Sequence, residues 1–330
     1  MAASDAEEEE EEEIVSVGPR STVGWEDMTP IPAGPGLPPI VAVQYDAVDG
    51  ALLDLFAVVI ESGEISERVY NLTAQVIDIN SANYTAWEIR WRCLEGLPDL
   101  FMQKEALFLD DMLELNPKNY QLWNYRRRFA LKRGKGFEEE EFLYSGRCLA
   151  EDTKNYHAWA HRAAIAEAFD SWERELPIIT RMLSEDARNN SAWNHRYLTV
   201  QHLLSRGSAE ALLDNEMKSL EVIIIRAPHN ESAWQYLCGL CSMTHDKRFQ
   251  PSLQGLCLKV LKNCPTCSPA LACLATIYTA HNLLFAQQGD ENAAEQAASD
   301  GLHALKALEV VDPIRAIYWQ LRQAQLQTVQ

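Results

Sequence analysis

The residues best suited to chemistry lie in short polar segments around a recurring asparagine. Lys118 and Tyr120 flank Asn119, and Gln121 comes next. An ammonium, a phenol and an amide can together bind a phosphate-bearing ligand or a partner protein. Spacing alone does not distinguish these two kinds of ligand. The equivalent segments elsewhere in the chain add Tyr84, Tyr156 and His157.

Four full copies and one partial copy of the pattern Asn-x3-Trp-x2-Arg carry these segments. The tryptophans follow one another at steps of 36, 36, 34 and 41 residues. This is the period of a solenoid of helical hairpins such as the tetratricopeptide array. The full copies are Asn83, Trp87 and Arg90; Asn119, Trp123 and Arg126; Asn155, Trp159 and Arg162; and Asn189, Trp193 and Arg196. The partial copy is Asn230 and Trp234.

Each member of the pattern has a structural interpretation. The asparagine can accept hydrogen bonds from first-turn amides of the second helix of a hairpin, a cap worth about 1 kcal/mol. The tryptophan can fill the space between hairpins, and a buried arginine needs carbonyl or carboxylate partners. Asparagine, tryptophan and arginine are therefore interpreted as the residues that hold the repeats together.

The residues between the asparagine and the tryptophan are free for binding. They stand on first helical turns, where free amides and the helix dipole favour an anion. In a solenoid these turns line up along one edge. We call the predicted surface the helix-edge strip, made of Tyr84, Lys118, Tyr120, Gln121, Tyr156 and His157.

Helical periodicity continues from Asp46 onward without strand alternation, which predicts an all-α fold, a right-handed solenoid of helical hairpins. Residues 1–24 are expected to be a disordered acidic tail, because eight negative charges stand among the first thirteen residues. Residues 25–45 are predicted to form an extended proline-rich arm, and residues 46–325 the repeat domain. The predicted helices are 47–61, the pairs 65–79 with 83–95, 104–115 with 119–132, 137–150 with 155–169, 172–185 with 189–205 and 210–226 with 230–244, and then 250–263, 269–288, 292–310 and 313–325.

Composition and motifs exclude several classes of function. The net charge of -19 argues against direct nucleic-acid binding. The chain begins without a secretory signal and has no unbroken apolar stretch of about 18 residues, so we expect a cytoplasmic protein without a transmembrane segment. It contains no glycine-rich phosphate loop, no Gly-x-Ser-x-Gly elbow and no His-Glu-x2-His pair. If the chain takes part in catalysis, another subunit must complete the site.

Two Cys-x2-Cys pairs invite a zinc interpretation. Cys238 with Cys241 and Cys264 with Cys267 are separated by 22 residues, slightly more than the usual zinc-ribbon spacing of about 15 to 20. The first pair follows Trp234 within what the periodicity predicts to be one continuous helix. We expect mostly buried thiols and no metal site in this chain.

The repeat sequences resemble those of the alpha subunits of protein prenyltransferases. The resemblance is greatest to the alpha subunits shared by farnesyltransferase and geranylgeranyltransferase type I. The resemblance covers about residues 25 to 325. It includes the segment Trp25-Glu-Asp-Met-Thr-Pro-Ile-Pro32 and the fifth copy around Trp234, which lacks the arginine.

The resemblance implies a crescent-shaped α-α superhelix that wraps an obligate beta subunit. The heterodimer would transfer farnesyl or geranylgeranyl from its diphosphate to the cysteine of C-terminal Cys-a-a-X proteins such as small GTPases. The beta subunit would hold the catalytic zinc, and the holoenzyme would also use magnesium.

The same resemblance assigns roles within the helix-edge strip. Lys118 matches the family lysine that approaches the diphosphate, with Tyr120 beside it. Gln121 matches the residue that binds the C-terminal carboxylate of the acceptor. Tyr156 and His157 match positions near the diphosphate and the product, and Tyr84 is a candidate of the same kind.

Two other functions remain open at this point. One is the Rab-type geranylgeranyltransferase alpha subunit, which shares the repeat, often carries extra domains and depends on an escort protein. The other is a non-catalytic tetratricopeptide-like adaptor, although the Asn-x3-Trp-x2-Arg wording is unlike the tetratricopeptide consensus.

Overall fold

The structure is a computed structural model that describes residues 20–31, 45–207, 209–244 and 249–327. Residues 1–19 of the predicted acidic tail and residues 32–44 of the predicted arm lie outside the described residues. Residues 20–31 lie against the first two helices. Trp25 is buried and stacks on Arg68, with its ring centroid 4.4 Å from the guanidinium carbon, and Arg20 pairs with Asp49 and Asp78.

The described residues are helical and contain no strand, so the all-α prediction is confirmed. Short 3-10 turns at Lys135–Phe137, Trp172–Arg174 and Pro313–Arg315 precede three of the helices. The predicted bounds agree within four residues, and the predicted helices 172–185 and 313–325 each begin with one of these turns. The α-helices are α1 Ala47–Ser62, α2 Glu67–Ile79, α3 Tyr84–Gly96, α4 Leu100–Leu115, α5 Tyr120–Arg133, α6 Glu138–Glu151, α7 Tyr156–Phe169, α8 Glu175–Glu185, α9 Asn190–Ser205, α10 Ala209–Arg226, α11 Glu231–Thr244, α12 Phe249–Asn263, α13 Ser268–Gln288, α14 Glu291–Val311 and α15 Ala316–Gln327.

The chain divides into two compact units, Met1–Phe169 and Asp170–Gln330. In the first unit, α2 packs on α3, α4 on α5 and α6 on α7, while the second helices α3, α5 and α7 contact one another in turn. In the second unit, α8 packs on α9, α10 on α11 and α12 on α13, and α14 lies between α13 and α15. Each unit is therefore a stack of helical hairpins.

Helix α13 is, among the described helices, long and apolar enough to cross a membrane by length and composition alone. Its residues Leu271 and Ala275 belong to a buried cluster with Ala298, Leu305 and Trp319 of the neighbouring helices. A core helix of a globular protein passes the same test, so this match is weak evidence for a membrane span.

The repeat asparagine has two functions, one on each side of its amide. Asn155 Oδ1 accepts from the main-chain N–H groups of His157 and Ala158, at 2.9 and 3.2 Å, and so caps α7. Its Nδ2 donates to the carbonyl of Pro117 in the preceding hairpin at 3.0 Å, and Trp123 Nε1 donates to the same oxygen at 2.8 Å. One turn carbonyl therefore joins two hairpins. Asn230 and Trp193 share the Ala187 carbonyl in the same way, and Asn119 donates to Ser81 Oγ.

The repeat tryptophans are buried and bind the turns of their own hairpins. Each indole Nε1 donates to the carbonyl six residues earlier; Trp87 reaches Ser81 at 2.9 Å, and Trp159 reaches Thr153 at 3.0 Å. The ring of Trp87 also lies 4.9 Å from that of Tyr125 in the next hairpin. The indole thus fixes its own turn and packs against the following repeat. The buried tryptophans of the pattern are Trp87, Trp123, Trp159, Trp193 and Trp234.

The repeat arginine donates some of its hydrogen bonds to groups within its own hairpin. Arg162 is buried, and its Nη1 donates to the Phe142 carbonyl at 2.9 Å and lies 3.3 Å from Ser145 Oγ. Arg90 makes the equivalent bonds to the Tyr70 carbonyl and to Thr73 Oγ1, at 3.1 and 3.3 Å. These bonds hold the second helix of a hairpin against the first.

Arg90, Arg126 and Arg196 also reach a glutamate in the next hairpin. Arg126 Nε lies 2.8 Å from Glu141 Oε2, and His161 Nε2 lies 2.8 Å from the same oxygen. All three side chains are buried, so their charges and donors must be satisfied within the protein. Similar arrangements join Arg90 to Glu105 and Tyr70, and Arg196 to Glu216 and Tyr236.

The sequence predicts such partners for a buried arginine, but its repeat pattern does not identify the glutamates. The missed signal is a fixed spacing, because each glutamate stands 18 residues before the tryptophan of its own hairpin. The pairs are Glu105 with Trp123, Glu141 with Trp159, Glu175 with Trp193 and Glu216 with Trp234.

A sixth, degenerate copy explains why the fifth lacks its arginine. Cys267 takes the asparagine position and donates through Sγ to the Pro228 carbonyl at 3.0 Å. Counting 18 residues back from Leu271, which takes the tryptophan position, gives Leu253 where the other copies have glutamate. Leu237, where arginine is expected, and Leu253 are both buried. An arginine at 237 would have no carboxylate at that position to neutralise it.

The double function of the asparagine can be tested with Asn155→Asp. Aspartate caps a helix about as well as asparagine, but it removes the donor to Pro117 and sets a carboxylate oxygen against that carbonyl. We expect a loss of at least about 1 kcal/mol in the free energy of unfolding, measured by urea denaturation of the full chain.

The matched control is Asn83→Asp. Asn83 caps α3 through Oδ1, at 3.1 Å from the N–H of Ala86, and its Nδ2 donates to no other described residue of its unit. We expect this variant to be near wild type. Equal losses in the two variants would contradict the inter-hairpin function of Asn155.

Candidate functional site

The tyrosines of the helix-edge strip occupy the first residue of three successive second helices. Tyr84, Tyr120 and Tyr156 begin α3, α5 and α7, each directly after its asparagine cap. They are 72, 71 and 69% exposed, although large aromatic side chains usually bury themselves. The bonds from Asn119 to Ser81 and from Asn155 to Pro117 hold the three preceding turns side by side. The strip therefore lies along one edge of the first unit.

His157 is the centre of an aromatic cluster within the strip. Its ring meets that of Tyr120 edge to face, with centroids 4.3 Å apart, and that of Tyr156 at 5.4 Å. It also stacks parallel to Trp123 at 6.4 Å, and it donates to the main-chain carbonyl of Lys118. Burial lowers the pKa of His157, and the bond to Lys118 opposes that shift in part. The ring is therefore neutral at neutral pH.

Lys118 has a fixed main chain and an exposed ammonium. The carbonyl of Pro117 accepts from Trp123 of its own hairpin and from Asn155 of the next, and the carbonyl of Lys118 accepts from His157 of the next. The side chain is 74% exposed, and Nζ lies 3.2 Å from Asp152 Oδ2. The turn thus places the positively charged ammonium of Lys118 in the middle of the strip.

Gln121 and Tyr84 stand outside this cluster. The main-chain N–H of Gln121 donates to Asn119 Oδ1 at 2.8 Å, and its side chain is partly exposed on the first turn of α5. Tyr84 lines a cavity of about 300 Å³ between α1 and α3, with Ile60 and Arg92. Among the described residues, no hydrogen bond, ion pair or ring contact joins either side chain to Lys118 or His157. The structure therefore brings together Lys118, Tyr120, Tyr156 and His157.

The tyrosines of the strip are confined to the first three repeats. At the position of the tyrosines, the fourth repeat has Asn190 and the fifth has Glu231. The candidate site accordingly belongs wholly to the first unit. An exposed ammonium and two exposed phenols on one edge can bind and stabilise an oxyanion.

The cysteines of the two Cys-x2-Cys pairs in the second unit contact other protein groups. Cys264 Sγ lies 3.3 Å from His229 Nε2, Cys267 donates to Pro228, and Cys238 contacts Cys273. In the part of the chain that the structure describes, no group of three or more His, Cys, Asp or Glu side chains is placed to hold a metal ion. Zinc does not fit these described residues.

The repeat matches a known protein family. Residues 102–132, 138–169, 172–203 and 213–244 match the protein prenyltransferase alpha subunit repeat. The four matches fall on the hairpins of α4 with α5, α6 with α7, α8 with α9 and α10 with α11. The family repeat is thus the hairpin that ends in the Asn-x3-Trp helix.

Two curated relatives and one solved structure extend the match to most of the chain. A Pisum sativum protein farnesyltransferase/geranylgeranyltransferase type-1 subunit alpha is 35% identical over 314 residues, which are 92% of this chain and 93% of the relative. The protein of that name from Dictyostelium discoideum is 31% identical, over 90 and 91% of the two chains. A chain of the Candida albicans protein geranylgeranyltransferase-I complexed with GGPP superimposes with a TM-score of 0.79 at 26% identity, covering 93% of this chain and 99% of that one.

The environment of His157 predicts a specific pH dependence. Because its pKa is lowered in the folded chain, the unfolded chain binds more protons, and stability falls as the pH drops through the ordinary histidine range. Tyr120→Ala opens the ring to water and should move the pKa of His157 back up toward its ordinary value.

Imidazole proton resonances followed against pH in the full chain measure this shift, with His157→Gln identifying the signal. Tyr84→Ala removes an equally exposed tyrosine that does not contact His157, and should leave the titration unchanged. An unaltered pKa in Tyr120→Ala would show that Tyr120 does not bury the ring.

Proposed function

The chain belongs to the family of protein farnesyltransferase/geranylgeranyltransferase type-1 alpha subunits, and we propose that it is the alpha subunit of a heterodimeric protein prenyltransferase. The reaction would move farnesyl or geranylgeranyl from its diphosphate to the cysteine of a C-terminal Cys-a-a-X sequence. The observation that carries this proposal is the exposed ammonium of Lys118 on the same helix-edge strip as the exposed phenols of Tyr120 and Tyr156.

A beta subunit and a prenyl diphosphate are the partners that this family membership implies. Family resemblance gives the beta subunit the catalytic zinc. Zinc would activate the acceptor thiol, and magnesium is proposed for the holoenzyme. Small GTPases with a Cys-a-a-X terminus are the proposed acceptors.

The proposed chemistry of this chain is charge stabilisation. As the bond between the prenyl carbon and the diphosphate oxygen breaks, its electron pair stays with the diphosphate, while sulfur forms the new bond to carbon. Negative charge therefore grows on the diphosphate in the transition state, where Lys118 can donate to it. The hydroxyls of Tyr120 and Tyr156 are further donors on the same edge, and His157 holds both rings in place.

Two residues of the strip are proposed to act on other parts of the substrates. Gln121 offers an amide one residue beyond Tyr120, and we assign it to the C-terminal carboxylate of the acceptor. Tyr84, one hairpin earlier on the same edge, would contact the substrate at the end of the strip.

A cytoplasmic location is also proposed. All eight cysteines are free, as is usual for a protein of a reducing compartment.

Co-expression with beta subunits tests the proposed function. The chain is produced with a farnesyltransferase or a geranylgeranyltransferase type I beta subunit, and each heterodimer is assayed on Cys-a-a-X peptides with each diphosphate. Stable heterodimers that transfer a prenyl group support the proposal. A chain that forms no heterodimer with any beta subunit, or heterodimers without transfer, would contradict it.

Lys118→Asn tests the part assigned to this chain. Removing one preorganised donor from developing negative charge typically lowers the rate about 10²–10³-fold. We expect a loss of this size in kcat, with heterodimer assembly and prenyl-diphosphate binding retained.

The matched control is Lys154→Asn. Lys154 precedes Asn155 as Lys118 precedes Asn119, so the substitution changes the same position one repeat later. We expect kcat within a few-fold of wild type. A normal kcat in Lys118→Asn would remove Lys118 from the mechanism.

A further inference from the structure

The ammonium proposed to bind diphosphate already has a carboxylate partner within its own chain. Asp152 stands in the turn before α7, one hairpin after Lys118, and its Oδ2 lies 3.2 Å from Lys118 Nζ. Its other oxygen, Oδ1, accepts from the main-chain N–H of Lys154 at 3.0 Å. This second bond fixes the carboxylate in the turn, so that Lys118 is held against a stationary anion.

The pair is not needed to hold the hairpins together. Lys118 and Asp152 are 74 and 40% exposed, and exposed ion pairs contribute little to stability. The same two hairpins are already joined by buried contacts, from Asn155 to Pro117 and from Arg126 to Glu141. The pair is therefore available for a function other than stability.

We propose that Asp152 is a built-in counter-ion of Lys118, which competes with the diphosphate of the substrate and product for the ammonium. The inference rests on the proposed function, because it takes Lys118 as the group that engages the diphosphate. In the substrate-free chain Asp152 is ion-paired with the ammonium of Lys118. The pair breaks as charge builds on the leaving diphosphate, and Lys118 then binds the diphosphate. After transfer, recapture of Lys118 by Asp152 favours release of the diphosphate.

Two opposite effects of the carboxylate have to be weighed. Asp152 orients a flexible side chain, which would help diphosphate binding, and it repels the diphosphate, which would weaken that binding. Orientation by an exposed pair changes an equilibrium constant about fivefold at most. Repulsion between unit charges about 4 Å apart amounts to about fivefold in bulk water and more where water is excluded, and a diphosphate carries more than one charge. The carboxylate of Asp152 should therefore weaken diphosphate binding, because its competition for Lys118 and its repulsion of the diphosphate together exceed the gain from orienting Lys118.

The ionisation of Asp152 agrees with this role. The N–H of Lys154 and, after it, the ammonium of Lys118 lower the pKa of Asp152. The group is consequently a carboxylate throughout the neutral range.

Asp152→Asn in the heterodimer tests the proposal with inorganic diphosphate as the probe. Asparagine keeps an oxygen for the turn bond to Lys154 and removes only the charge. We expect the inhibition constant of inorganic diphosphate to fall about three- to tenfold, and the single-turnover rate of prenyl transfer to rise severalfold. An unchanged or higher inhibition constant would overturn the proposal, and a higher one would show that Asp152 serves to orient Lys118.

Asp186→Asn is the matched control. Asp186 stands at the same position one repeat later, and its Oδ1 accepts from the N–H of Arg188 at 2.9 Å. Among the described residues of its own unit it has no ion pair. We expect no change in diphosphate inhibition. An equal shift in both variants would assign the effect to the turn or to overall charge, against the proposal.

A double substitution separates competition from repulsion. In a Lys118→Met heterodimer the ammonium is gone, so adding Asp152→Asn removes only the repulsion and should tighten diphosphate binding less than it does beside Lys118. A gain of full size in the Lys118→Met background would mean that the carboxylate acts on the diphosphate directly, and the counter-ion proposal would be wrong.

The unsubstituted heterodimer distinguishes failure of the counter-ion proposal from failure of the proposed prenyltransferase function. If it transfers prenyl groups while Asp152→Asn leaves diphosphate inhibition unchanged, only the counter-ion proposal fails. If it neither transfers prenyl groups nor binds diphosphate, the proposed function fails and the counter-ion proposal fails with it.

Discussion

A turn carbonyl that accepts two donors sets the register of the hairpins. The carbonyl of Pro117 receives the indole N–H of Trp123 from its own hairpin and the amide of Asn155 from the next. A turn carbonyl that lost either donor would lose about one hydrogen bond that joins the two hairpins. Because Asn155 also caps α7, one side chain fixes both where a helix starts and which turn it starts beside.

The helix-edge strip is a consequence of this register. When every second helix begins beside the preceding turn, its first residues must lie along one edge, whatever those residues are. The residues between asparagine and tryptophan do not take part in the shared carbonyl, so tyrosine, histidine and glutamine can stand there without weakening the stack. Lys118 combines both functions, since its main chain belongs to the turn and its ammonium faces outward.

The buried ion pairs show how strictly one repeat depends on the next. Arg126 is neutralised by Glu141 from the following hairpin, with His161 on the same carboxylate. Loss of one partner would leave the other charge buried with fewer partners, which costs more than the absence of both. The leucines at 237 and 253 fit that rule, because both charges of the pair have been replaced together.

The sequence alone determined the helices, their hairpin period and the strip on which Lys118, Tyr120, Tyr156 and His157 meet. Those features depend on local signals, such as the asparagine cap and apolar periodicity, that are written within a few residues. Only the tertiary structure decided that the amide of Asn155 reaches Pro117, that Glu141 neutralises Arg126, that Cys267 heads a sixth copy and that Asp152 holds Lys118. Each of these contacts joins different helices or turns, and which groups meet there depends on how the hairpins pack, which no local pattern records.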